Sequence, residues 1–128
     1  MSTPSPKPTE TELEILQLLW QHGPSTVRFI NEQQNLAKPT GYTTTLKIMQ
    51  IMLAKNLLTR QEAGRQHTYA AAITQERTQR QLLNQFLDAA FRGSAGSLVM
   101  QALGNHKTSP EELDQIRDLL DKLQQPKK

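Results

Sequence analysis

Three histidines, a glycine–serine stretch and a row of carboxylates are the groups in this chain best suited to covalent or acid–base chemistry. Their spacing argues against that use. His22, His67 and His106 stand far apart and form no H-x-x-x-H or H-E-x-x-H pattern, so no pair shares a helix face to hold a zinc ion. Gly93-Ser94-Ala95-Gly96-Ser97 lacks the G-x-S-x-G order that lifts a serine onto a strained strand-to-helix turn, and a helix start accounts for it. Glu111, Glu112, Asp114, Asp118 and Asp121 fall on one amphipathic stretch, where a solvated face explains them better than a paired acid and base. There is no phosphate-cradling P-loop and no dinucleotide fingerprint. With no cysteine there is no disulfide and no thiolate metal site, which fits the cytoplasm. The residues imply no enzyme, no metal and no cofactor.

Bases and hydroxyls remain, and these are placed for a different task. The net charge is only +3, but it is unevenly spread. Arg28, Lys38, Lys47, Lys55, Arg60 and Arg65 crowd into residues 28–67 against Glu32 and Glu62 alone, while the rest of the chain is close to neutral. Positive charge gathered in one segment is what a phosphate-binding surface needs. Within the same segment stands Tyr42-Thr43-Thr44-Thr45-Leu46-Lys47. A threonine hydroxyl can bond a phosphate or a base edge, and its methyl can meet a thymine methyl.

Those side chains need a scaffold, and the hydrophobic pattern supplies one. Met1-Ser2-Thr3-Pro4-Ser5-Pro6-Lys7-Pro8 has no apolar h-region and reads as a loose arm, residues 1–8. A first helix follows, with Thr9 and Glu12 at capping-box spacing and Thr11 with Glu14 as the other frame. Leu13, Leu16 and Trp20 form its stripe, widened by Ile15 and Leu19, and Gly23-Pro24 ends it. Ser25 or Thr26 caps a second helix that turns Val27 and Ile30 inward; Asn35 and Lys38-Pro39-Thr40-Gly41 close it. A third helix spans Tyr42 to Lys55 with Thr45, Ile48, Met49 and Met52 on its core face, followed by Asn56 in a left-handed cap. Tyr42, Thr43, Thr44, Leu46 and Lys47 are thereby left outward. Leu57–Glu62 and Gln66–Ile73 read as strands around Ala63-Gly64-Arg65, with Tyr69 toward the core.

The rest of the chain is helical. Thr74 opens a helix striped by Leu83, Phe86, Leu87, Ala90 and Phe91, and Arg92-Gly93-Ser94 breaks it. A short helix, Ala95 to Leu103, carries Leu98, Val99, Ala102 and Leu103. Ser109-Pro110-Glu111-Glu112 then launches Leu113, Ile116, Leu120 and Leu123. No apolar run approaches the roughly 20 residues that cross a bilayer.

Three helices and a hairpin are the order of a winged helix-turn-helix. The fold class is therefore mostly α with a small β-hairpin: residues 9–73 a winged helix DNA-binding domain, residues 74–124 a helical dimerisation region, and residues 125–128 a flexible tail. A core of about 65 residues leaves the later stripes little to cover, and a twofold partner buries the same stripe twice. In a helix-turn-helix the second helix of the motif enters the major groove by its N-terminal end. Tyr42, Thr43, Thr44, Leu46 and Lys47 are then the groove-facing candidates, with Arg28, Arg60, Arg65 and His67 toward the flanking backbone or minor groove.

Several runs resemble penicillinase repressors of the BlaI/MecI type. These are Thr9-Glu10-Thr11-Glu12-Leu13-Glu14-Ile15-Leu16 with Leu19-Trp20 and Gly23-Pro24-Ser25-Thr26-Val27-Arg28; Gly41-Tyr42-Thr43-Thr44-Thr45-Leu46-Lys47-Ile48-Met49-Gln50; Lys55-Asn56-Leu57-Leu58-Thr59-Arg60; and Phe91-Arg92-Gly93-Ser94-Ala95-Gly96-Ser97-Leu98-Val99-Met100-Gln101-Ala102-Leu103. The resemblance spans residues 9–123. It implies a homodimeric repressor on a palindromic double-stranded DNA operator, paired through its tail helices. It also implies induction by cleavage in the tail, downstream of a membrane-bound sensor metalloprotease encoded nearby, with β-lactam as the trigger in the best-known members. The family's cut follows an Asn that precedes Phe; the corresponding bond here is Gln101-Ala102, so that pattern is not kept. The copper-responsive branch uses C-terminal cysteines, which are absent here. Asn56 replaces the usual Gly, and Ile51 stands where related repressors often carry a base.

A second reading from a different class is a winged-helix protein-interaction module without DNA binding, since a fold does not fix a function. The discriminating surface is the outer face of Tyr42–Lys55, which such a module would make apolar; here it carries threonines and Lys47 but also Leu46 and Ile51.

Overall fold

The computed structural model describes residues 7–125; residues 1–6 of the expected arm and 126–128 of the expected tail end lie outside the described residues. Helix α1 spans Glu10–His22. Of the two possible capping frames the chain uses Thr9: its Oγ1 accepts from the Glu12 amide at 3.2 Å, and Glu12 Oε1 accepts from the Thr9 amide at 2.9 Å. The helix stops at Gly23: its amide still bonds the Leu19 carbonyl at 2.8 Å, and its φ of 81° turns the following chain off the helix axis. The buried face is Glu12, Ile15, Leu16 and Leu19. Leu13 and Trp20, expected at the centre of the stripe, are half-buried at its edges. Trp20 is held there because its Nε1 donates to the Ile73 carbonyl at 2.9 Å.

Helix α2 spans Val27–Ala37 and takes its cap from Thr26, whose Oγ1 accepts from the Phe29 amide at 3.1 Å. Ser25 is used otherwise: its amide and carbonyl pair with Tyr69 at 2.9 and 2.8 Å, so the segment before α2 forms a bridge to the hairpin. Asn35, expected to close this helix, lies inside it. Helix α3 spans Tyr42–Ala54. Asn56 then takes φ 65°, turning the chain so that the Leu57 amide meets the Met52 carbonyl at 2.9 Å.

Strands β1, Leu58–Ala63, and β2, Gln66–Ala71, pair antiparallel with Arg60 opposite Tyr69 and Glu62 opposite His67. The turn has two residues rather than three, Gly64-Arg65, and Gly64 carries the positive φ of 68°. The second strand ends at Ala71, short of Ile73, whose carbonyl is taken by Trp20. Ile15, Leu16, Leu19, Val27, Ile30, Met49, Met52, Leu57, Leu58 and Tyr69 make the core. Every element up to β2 contributes to it, and each large side chain so buried is worth about 1.5–3 kcal/mol. Three helices and a two-stranded hairpin closed on this core are a winged helix-turn-helix.

The chain divides into two compact units, the first ending at Leu83 and the second beginning at Asn84. Helix α4 spans Gln75–Phe91 and is opened by Thr74, whose Oγ1 accepts from the Arg77 amide at 3.2 Å. Arg92 and Gly93, at φ 52° and 81°, end it. Helix α5 spans Ala95–Asn105, two residues beyond the expected Leu103, and is capped by Ser94. Helix α6 spans Pro110–Gln124, with Ser109 accepting from the Glu112 amide at 3.1 Å and Pro110 in the first turn. Among the described residues no helix is long and apolar enough to cross a membrane.

Candidate nucleic-acid interface

The rotation of α3 decides which side chains can reach a ligand. Thr45, Met49 and Met52 are buried, so the opposite face is the outer one. Tyr42, Thr43, Thr44 and Lys47 are exposed there, as expected. Leu46 is not: it is half-buried and packs against the core, because it lies only about 100° round the helix from Thr45. Ile48, expected fully inside, is likewise half-buried on the other flank. The outermost ridge is Thr43, Lys47 and Gln50, at i, i+4 and i+7, and Gln50 is exposed. Sequence reasoning missed Gln50, although its spacing from Thr43 was a sufficient signal. A glutamine amide can both donate to and accept from an adenine edge.

The start of α3 differs chemically from the other helix starts. Thr9, Thr26, Thr74, Ser94 and Ser109 each give a side-chain acceptor to a first-turn amide. At α3 the cap position is Gly41, which offers none. The first-turn N–H groups and the positive end of the helix dipole are left without a side-chain acceptor, in a turn whose residues Tyr42, Thr43 and Thr44 are exposed, an arrangement suited to an anionic oxygen.

The hairpin brings further cations to the same region. Cross-strand partners share a face, so Arg60 and His67 lie on the side of the buried Tyr69, with Glu62 opposite His67. Arg28, Tyr42, Leu46, Arg65 and His67 line one open groove of about 350 Å³. The structure thus joins the start of α2, the start of α3 and the hairpin tip. Thr44 lies elsewhere, on a groove of about 670 Å³ with Gln34, Lys38, Gly41 and Ile48. Thr43, Lys47 and Arg60 line neither groove and stand exposed.

One base of the segment is committed internally. Lys55 Nζ contacts both Glu12 oxygens, at 2.9 and 3.1 Å, and Glu12 is buried. Burial alone would raise the Glu12 pKa, but the Thr9 amide and the Lys55 ammonium outweigh it and hold the carboxyl below its ordinary value. Lys55 therefore joins α1 to the end of α3 rather than adding to the outer charge.

Helices α4, α5 and α6 leave their apolar stripes open. Leu83, Phe86, Val99, Leu103, Leu113, Leu120 and Leu123 are exposed, and Leu87, Phe91, Leu98 and Ile116 half-buried. Leu119 and Met100, which the sequence reading left out, are exposed too, Met100 to 76%. Phe86 and Phe91 meet edge to face at 5.7 Å. Gln101 and Ala102 are both exposed, within α5. Among the described residues no group of three His, Asp or Glu side chains converges as a metal site would require.

The family model of the penicillinase repressor matches residues 8–122. The penicillinase repressor of Bacillus licheniformis is 21% identical over 123 residues, 96% of each chain. A structure of Lactococcus lactis ZitR is similar at a TM-score of 0.45 and 20% identity, over 96% of this chain and 77% of that one. The chain belongs to the penicillinase repressor family, a family of DNA-binding transcriptional repressors.

Proposed function

We propose that this protein represses transcription as a homodimer on a palindromic operator. Residues 9–73 form the DNA-binding domain, with the first turns of α3 in the major groove and the hairpin tip on the neighbouring backbone. Thr43, Thr44 and Tyr42 read or abut base edges, Leu46 makes an apolar contact at the groove wall, and Lys47, Arg28, Arg60, Arg65 and His67 face phosphates. Residues 74–124 join the two copies through Leu83, Phe86, Leu87, Phe91, Leu98, Val99, Leu103, Leu113, Ile116, Leu120 and Leu123. The chain acts in the cytoplasm, and a membrane-bound sensor metalloprotease relieves repression by leading to cleavage of the tail, with Gln101-Ala102 as the candidate bond.

The observation that carries this reading is the outer surface of α3. It exposes Thr43, Thr44, Lys47 and Gln50 beside Tyr42 and a single aliphatic side chain, Ile51, its N-terminal amides lack a side-chain acceptor, and Arg28, Arg65 and His67 flank it. An adaptor that docks on protein would expose an apolar face there. The test is selection of bound duplexes from a random-sequence pool by the purified protein, followed by a salt titration. The expected result is an inverted repeat and a slope of log K against log salt of roughly −7, as about eight phosphate contacts per dimer require. Recovery of no preferred sequence would overturn the reading. Cleavage is tested separately, by mass analysis of the repressor co-produced with the neighbouring protease.

A further inference from the structure

Thr45 occupies the centre of the α3 core face, beside Met49 and Met52, and is fully buried, at 0% exposure. Apolar residues at Thr45 and at its partners together would fill the place at little cost, because replacing both partners of a buried hydrogen bond can be nearly neutral. The hydroxyl instead sits in a network. It accepts from Asn31 Nδ2 at 2.9 Å and donates to Gln34 Oε1. The same Asn31 amide also donates to the Thr40 carbonyl at 2.9 Å. Asn35, one turn on, closes the other side: its Oδ1 accepts from the Thr40 amide at 3.0 Å, and its Nδ2 donates to the Thr40 carbonyl at 2.9 Å. No buried side-chain polar atom among the described residues is left without a partner.

Three amide side chains on one face of α2 thus grip the turn before α3 and the first turn of α3 itself. Apolar packing tolerates small rotations and slides, whereas hydrogen bonds fix direction. Exposed Thr43, Thr44 and Lys47 lie within two positions of Thr45 on the same helix, so a rotation about the α3 axis carries them along with it.

We infer that Asn31, Gln34 and Asn35 are positioning residues: through Thr40 and Thr45 they set the rotation and entry angle of α3, and so determine sequence discrimination without touching DNA. This rests on the DNA-reading role proposed for α3. It predicts a loss in discrimination larger than any loss in general affinity, because phosphate contacts are flexible and base contacts are not.

The test compares wild type with Asn31→Ala, Asn35→Ala and Thr45→Val on two duplexes. One is the sequence the wild type selects from a random pool, the other a scrambled duplex of equal composition; melting is followed in parallel by circular dichroism. Asn31→Ala and Thr45→Val are each expected to lower affinity for the selected duplex by about tenfold, with scrambled-duplex affinity changed by less than about twofold. Their double variant is expected to lose no more than the worse single one, as for partners in one network. Asn35 is exposed and Asn35→Ala leaves the core intact, so it reports even where Asn31→Ala fails to fold. Retained discrimination in folded Asn35→Ala and Thr45→Val, or equal losses on both duplexes, would overturn the assignment. A wild type that itself shows no preference would remove the DNA-reading role beneath it, a distinct result.

Discussion

At the scale of single residues, Gly41 and Glu12 illustrate opposite uses of a helix start. Glu12 completes a capping box and an ion pair at once, which stabilises the fold. Its carboxyl titrates below the ordinary value in the folded state, so its contribution is complete above pH about 4.5, the unfolded value, and is lost as pH falls through the lower folded value. Glu12→Gln keeps the hydrogen-bonding shape and removes the charge. It is expected to cost about 1–2 kcal/mol at pH 7, less than a fully buried pair because Lys55 is part-exposed. Denaturant titrations from pH 7 to pH 3 should show the gap between the two proteins closing; a constant gap would mean the charge is not the source. Gly41 runs the other way. Its φ of −71° suits any residue, and a Cβ there would meet nothing nearer than Thr44 Oγ1 at 3.9 Å. Gly41→Ser is therefore expected to raise stability by a few tenths of a kcal/mol, about what a serine cap gains over glycine. It should also weaken DNA binding several-fold, since the new hydroxyl competes with a phosphate for the same amides. Stability and affinity moving together would deny that the bare helix start is used. The threonine run was legible in the sequence, as residue types. The Lys55–Glu12 pair was not, because it joins positions 43 residues apart that only the tertiary fold brings together.

At the scale of elements, the order of helices and strands was readable because caps and breakers act locally: Thr9, Gly23-Pro24, Asn56, Gly64 and Ser109-Pro110 all perform the turns their chemistry favours. What failed was azimuth. Leu46 was placed outward and Leu13 in the centre of a stripe, since a flank residue about 100° from the core axis has no sequence mark telling inside from edge. Ser25 and Thr26 were equal candidates for the cap of α2 for a similar reason: the role of Ser25 depends on Tyr69, far along the chain. The hairpin itself allows a prediction. Arg65 stands at the second position of a two-residue turn and lines the groove beside Tyr42, so its removal leaves the strand pairing and the core untouched. Arg65→Ala should weaken binding to all duplexes alike and shift the salt slope of a dimer from roughly −7 toward roughly −5, two phosphate contacts fewer. Melting should not change. A slope that stays put would take the hairpin tip off the DNA.

At the scale of the whole molecule, two facts about the second unit bear on assembly: α5 and α6 contain no buried residue, and their exposed side chains include Leu113, Leu120 and Leu123 at heptad-like spacing. A helix with such a stripe is stable in water only when something covers it, and a second copy supplies an identical stripe by symmetry. Leu120 is a cleaner probe than Leu87, which is half-buried within its own chain and would confound folding with assembly. Leu120→Asp puts a charge where the proposed partner packs, yet at a site already about half exposed in the single chain. The expected outcome is a folded monomer by sedimentation, with the helical content of the wild type. Because each copy would then hold one half-site, the salt slope should halve to roughly −3.5 and affinity for the inverted repeat should fall by at least about 100-fold. The two readouts separate the causes: misfolding would lower helicity and affinity together, whereas loss of the twofold leaves helicity intact and halves the slope. A dimer that persists in Leu120→Asp, binding with the wild-type slope, would mean that the stripe of α6 is covered by something other than a second copy.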